Sequence, residues 1–143
     1  MPRRIDAAYQ SLSRKHGFAI LPSGPALHRA RNAPGRTYVR DPAYDFAAPT
    51  APRLPRQDHS FSAGYHWAIT DTPDGVPDLR LDANHLNPRG CFLCSATWFA
   101  ALTGIDVRQT RFRPQEITED DRRFLVETAW ETVQQQKSRA ANG

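Results

Sequence analysis

Apolar residues recur at helical spacing near both ends of the chain, and an irregular, proline-punctuated stretch separates them. Over residues 2–16, Ile5, Ala8, Tyr9 and Leu12 share one helical face, with Arg3, Arg4, Arg14 and Lys15 around them. Gly17 is placed to stop that helix. Phe18-Ala19-Ile20-Leu21 then forms a short continuous apolar run, which predicts a strand buried on both faces of a parallel sheet. Pro22 to Pro25 predict a turn, and residues 26–32 a short helix. Helix, glycine, strand, turn and helix in that order is the rhythm of an α/β domain.

Residues 33–60 break the rhythm. Pro34, Pro42, Pro49, Pro52 and Pro55 interrupt them, and apolar anchors are few. So long a loop suggests a substrate-side insertion or a segment lying over the surface. Tyr65-His66-Trp67-Ala68-Ile69-Thr70 alternates and predicts a strand edge. Thr72-Pro73-Asp74-Gly75 is turn chemistry, and Leu79-Arg80-Leu81 leads into Asp82. Asn87 then offers an N-cap and Pro88 a first helical residue, predicting a helix over 88–103 that Gly104 ends. A last helix is predicted from Thr118, a capping residue followed by Glu119, Asp120 and Asp121, which suit the positive end of a helix. Phe124, Leu125, Ala129 and Val133 give it an apolar face, with Trp130 at the margin. From Gln134 the chain turns polar, which predicts fraying and a disordered tail over 136–143.

Composition changes this picture in one respect. At 143 residues a single domain is expected. Yet hydrophobic content is only 39%, mean hydropathy is -0.64, and the core predicted for this length is thin. Net charge is +4, with a pI near 9.5. No basic run interleaves with aromatics in a binding pattern, so the arginines read as a solvated surface rather than a nucleic-acid interface. No apolar run approaches the ~20 residues that span a bilayer, so no membrane partner is expected. Met1-Pro2-Arg3-Arg4 has no apolar segment after it, so no signal peptide is visible and the compartment stays open.

The candidate chemistry lies at Asp82-Ala83-Asn84-His85. An acid three residues before a histidine, on a short loop at a helix entrance, can hold the imidazole in one tautomer while its other nitrogen faces a substrate. The bland alternative is a turn in which Asp82 caps a backbone N–H and His85 is an ordinary surface residue. Asp82-x-x-His85, then Leu86-Asn87-x-x-Gly90 and a helix ending in Leu102-Thr103-Gly104, resembles the C-terminal block of the SGNH (GDSL-like) hydrolases. Leu21-Pro22-Ser23-Gly24-Pro25-Ala26 resembles the strand and turn upstream of that block. The resemblance covers roughly residues 2–135 and is most specific over 79–104.

It implies a flavodoxin-like α/β fold with a parallel sheet, and a serine esterase acting on esters, carbohydrate acetyl groups among them, with no cofactor. His85 would be general base and then acid, and Asp82 its orienter. Read from the residues themselves, His59, His66 and Trp67 could line a groove for a small-molecule or carbohydrate ester, with Asn84 beside the pair; the equal alternative is an ordinary loop with one anchoring Trp. The family's Gly-Asp-Ser and Gly-x-Asn-Asp segments have no counterpart here. The expectation is therefore a C-terminal half whose parallel sheet is incomplete, whose nucleophile would come from a missing N-terminal half, and which is inactive alone. The serines that could replace that nucleophile are Ser23, Ser60, Ser62 and Ser95. Ser95 lies on the following helix, ten residues beyond His85, and is expected to point away, and no strained turn marks Ser60 or Ser62, so a replacement nucleophile is not expected. Cys91-x-x-Cys94 reads as small buried helix residues in preference to a redox pair. A zinc site would need two further ligands, so no metal is expected. The rival from another class is a non-catalytic binding or interaction protein with an arginine-rich surface.

Overall fold

Asn87 and Thr118 start the two helices that hold the molecule together. The Asn87 side chain accepts from the Gly90 N–H at 3.0 Å, and the Thr118 hydroxyl accepts from the Asp121 N–H at 3.1 Å, each satisfying a donor the helix cannot. The structure, a computed structural model, describes residues 2–69 and 75–141. In chain order it has helices α1 (Pro2–His16) and α2 (Ser23–Arg31), strands β1 (Ser62–Ile69) and β2 (Pro77–Leu86), helix α3 (Pro88–Thr103), a 3-10 turn at Val107–Gln109, and helix α4 (Glu119–Ala141). The turn predicted at Thr72-Pro73-Asp74 lies outside the described residues.

The core sits where α2, α3 and α4 meet. Ala26 and Ala30 of α2, Leu93, Ala96 and Ala100 of α3, and Leu125, Val126, Ala129 and Val133 of α4 are buried there, closed by Phe61, Val107 and Ile117. Small side chains at the crossings let the helices approach closely. Thr97, Thr128 and Thr132 are buried too, and each hydroxyl donates to the carbonyl four residues earlier, so none is left unpaired. Helix α4 runs on to Ala141, past the fraying expected from Gln134 and into the expected tail.

The parallel, flavodoxin-like sheet is not what the chain forms. Among the described residues the sheet is a two-stranded antiparallel hairpin of β1 and β2, and the helices stand apart from it, an α+β arrangement. Phe18–Leu21, expected as a buried strand, is irregular, and Phe18 is exposed. An apolar run becomes a strand only beside a partner that takes its backbone groups. Here side chains take them instead: the Ser13 hydroxyl donates to the Phe18 carbonyl at 2.6 Å and the Gln136 amide to the Ile20 carbonyl at 2.6 Å. The short span between β1 and β2 suits an antiparallel connection, not a crossover.

The loop over 33–60 is irregular, as its prolines imply, but it is anchored. Asp41 is buried, and its carboxylate accepts from the backbone N–H groups of Ala43 and Arg56, both at 3.0 Å. Gln57 presents its amide to β1 as a short strand would: the Tyr65 N–H donates to Oε1 at 2.6 Å, and Nε2 donates to the Tyr65 carbonyl at 3.0 Å. Tyr44, Phe46 and Tyr65 form a run of ring contacts that ties the loop to the hairpin.

Candidate functional site

The sequence Asp82 to Leu86 occupies an irregularity in the hairpin. Ser62 pairs with Leu86 and Gly64 with Asp82, so two steps along β1 face four along β2. The extra residues of β2 bulge outward. Their N–H groups, taken off the ladder, find Asp82: its Oδ1 accepts from Asn84 at 3.0 Å and from His85 at 2.9 Å. Its Oδ2 lies 2.7 Å from His85 Nδ1. The pair therefore sits on the bulged end of β2 and not, as expected, on a free loop, with Asn87 starting α3 directly after it.

These bonds fix the protonation state. The His85 backbone N–H, then the His85 ring, then the Asn84 N–H all stabilise the charged form, holding the Asp82 carboxyl down at about 2. At neutral pH Asp82 is a carboxylate and can only accept. His85 Nδ1 carries a proton towards that carboxylate, and Nε2 is the ring nitrogen that faces away from it. The His85 side chain is 84% exposed, so that nitrogen is open to an approaching group.

Around the pair, strand alternation sorts the other candidates. Gly64 pairs with Asp82 and His66 with Arg80, which puts His66 on the face of the hairpin that carries Asp82. Trp67 points to the opposite face, where its indole N–H donates to the Arg53 carbonyl at 3.1 Å. Asn84 is exposed beside the pair, and its backbone N–H is spent on Asp82. Among the described residues the only side-chain partner of His85 is Asp82. The Ser60 and Ser62 hydroxyls engage each other, Ser23 accepts from the Trp98 indole, and Ser95 is exposed on α3.

Neither of two clefts, of about 320 and 220 Å³, is lined by Asp82 or His85. The smaller is lined by Leu81 and Ala83, the residues on either side of Asp82, together with Tyr38, Arg40 and Tyr65. Tyr38 and Arg40 were not singled out by the sequence reading. The signal available was the alternation of arginine and aromatic residues over Tyr38, Arg40, Tyr44, Phe46 and Arg53, which in the structure pair as cation–π contacts of Arg40 with Phe46 and Arg53 with Tyr44.

Cys91 is exposed in the first turns of α3 and Cys94 half-buried beside it, both as free thiols. Burial pushes the Cys94 thiol above its ordinary pKa, the reverse of what activates a thiolate. Among the described residues no group of three or more His, Cys, Asp and Glu stands close enough to hold a metal ion. Much of the basic surface is internally neutralised: Arg29, Arg36, Arg89, Arg108 and Arg122 each face an Asp or Glu. No protein-family model, no curated protein and no solved structure matches this chain.

Proposed function

We propose that Asp82 and His85 are the carboxylate–imidazole couple of a serine-type ester hydrolase, acting on small or carbohydrate-borne esters, with the hydroxyl nucleophile brought to His85 Nε2 by another polypeptide segment. The observation that carries this reading is the 2.7 Å contact from Asp82 Oδ2 to His85 Nδ1, made by a carboxylate whose other oxygen is pinned by two backbone N–H groups. That arrangement orients the imidazole with Nε2 turned away from the carboxylate, the nitrogen through which a general base would act. His85 would take the proton of the attacking hydroxyl and return it to the leaving alkoxide, while Asp82 stabilises the imidazolium formed between the two steps.

Support for a covering segment comes from apolar side chains left uncovered. Ile5, Tyr9 and Leu12 of α1 are exposed, as are Trp98, Phe99 and Leu102 of α3, the helix that follows His85. Scattered exposed apolar residues are normal, but three on successive turns of α1 and three on successive turns of α3 make each helix a candidate surface for association.

Ester turnover tests the reading. The 143-residue chain and the longest polypeptide encoded by its native reading frame are each assayed with p-nitrophenyl butyrate. Turnover is expected only in a form that supplies the nucleophile, and it should vanish in His85→Ala. Turnover that survives His85→Ala, or its absence from both forms, overturns the proposal. The second reading, a non-catalytic interaction module, is favoured by the open face on which His85 stands, outside both clefts. It predicts no ester turnover in either form.

A further inference from the structure

The face of the hairpin opposite Asp82 carries a cleft with chemistry of its own. It is about 220 Å³, below the roughly 300–1,000 Å³ typical of sites for drug-sized ligands, so its occupant must be small. Arg40 stands at this cleft with its guanidinium 3.8 Å from the Phe46 ring centroid. The neighbouring carboxylate, Asp41, is turned inward and engages Arg56 instead. Arg40 is thus held by stacking and has no carboxylate partner among the described residues. Stacking leaves the edge of a guanidinium, where its N–H donors lie, free for a ligand.

Two phenols line the same cleft, Tyr38 and Tyr65. Neither hydroxyl bonds to a described residue, whereas that of Tyr44 donates to the Arg53 carbonyl at 2.9 Å. Burial raises the Tyr38 pKa further, so it remains a protonated donor. The remaining wall includes Leu81 and Ala83. A fixed cation and two free O–H donors against an aliphatic wall are complementary to an anionic head on a short apolar tail.

We propose that this cleft binds a short-chain carboxylate, its carboxylate on Arg40 and the Tyr38 and Tyr65 hydroxyls, and its acyl chain against Leu81 and Ala83. A single arginine matches one negative charge, and the aliphatic wall gives a bare inorganic anion nothing to cover. The site stands on the opposite face from His85 and does not depend on the ester-hydrolase reading.

The test is an NMR titration of the isotopically labelled chain with butyrate, with neutral butyramide and with inorganic phosphate. Butyrate should give saturable shifts at the Tyr65, Leu81 and Ala83 amides. Butyramide and phosphate should each bind at least about tenfold more weakly, because one lacks the charge and the other the tail. Arg40→Gln should weaken butyrate by about tenfold or more, and Tyr38→Phe by a smaller factor. Arg139→Gln, which removes a charge near the end of α4, should change nothing. Arg40 is exposed, and the amide spectrum reports whether the variant, which loses the stacking on Phe46, stays folded. Shifts that do not saturate, butyramide or phosphate binding as tightly as butyrate, or butyrate affinity unchanged by Arg40→Gln would each overturn the assignment.

Discussion

Replacing Gly64 with alanine should unseat the loop that holds the hairpin, and the cost can be divided into parts. Gly64 has φ +79°, in the left-handed region. An added Cβ there would lie 2.0 Å from Gln57 Oε1. The first part of the cost is backbone strain, about 1–2 kcal/mol for a residue with a Cβ in that region. The second is steric. The atom in the way is the end of a flexible side chain, so Gln57 can swing aside, but only by giving up both of its hydrogen bonds to the Tyr65 backbone. At about 0.5–1.5 kcal/mol net for each bond, the full penalty for Gly64→Ala is about 2–5 kcal/mol.

A double-mutant cycle separates the parts. Gln57→Ala alone loses the two bonds, about 1–3 kcal/mol, and leaves the backbone unstrained. In that background no other atom lies closer than 3.6 Å to the new methyl, an ordinary contact, so Gly64→Ala should then cost only the strain, about 1–2 kcal/mol. Urea unfolding followed by tryptophan fluorescence, with Trp67 on β1 as the local reporter, gives all four stabilities. The reasoning fails if Gly64→Ala costs the same with and without Gln57, or if it costs less than about 1 kcal/mol in the parent.

Gly90→Ala should destabilise by about 1–3 kcal/mol or more, because its Cβ would lie 2.6 Å from the Phe61 carbonyl oxygen, a backbone atom that cannot swing away; thermal unfolding measures it. Leu125→Ala, at a side chain with no exposure in the helical core, should cost about 2–5 kcal/mol in urea unfolding. Asp82 titrates at about 2 in the folded chain against an ordinary value of 3.8, so it contributes stability above the higher value that is lost as pH falls through the lower one. Asp82→Asn should therefore flatten the loss of stability between those pH values and leave His85 without the carboxylate that fixes its Nδ1–H, which nitrogen NMR reads directly.

The helix boundaries were readable because the signals that set them are local. Asn87-Pro88 and Thr118 act on N–H groups within three residues of themselves, and Gly104, at φ +73°, ends α3 within one turn. The parallel sheet expected from the sequence does not form, because strand pairing depends on partners far along the chain. Phe18–Leu21 has the composition of a buried strand, yet β1 and β2 pair with each other and leave it none. The cleft over 38–83 was hidden for a similar reason. It exists only because Asp41 and Gln57 fold a proline-rich loop onto β1, and neither residue carries a motif.

Asp82 and His85 fall between these cases. Their contact was readable because the spacing brings them together whether the backbone is a loop or a bulged strand. Their element was not, since it depends on the register with β1. The same locality limits what the contact means. Asp82 is charged and His85 oriented through bonds made within four residues, with no contribution from the helical core. A couple built this way keeps its geometry even where no nucleophile approaches it. What distinguishes a hydrolase from an interaction module is therefore whether a hydroxyl reaches Nε2; the exposed Trp98, Phe99 and Leu102 lie further along α3, the helix that follows the pair. A segment that covers those side chains and supplies that hydroxyl would complete the site without any change in the Asp82–His85 pair.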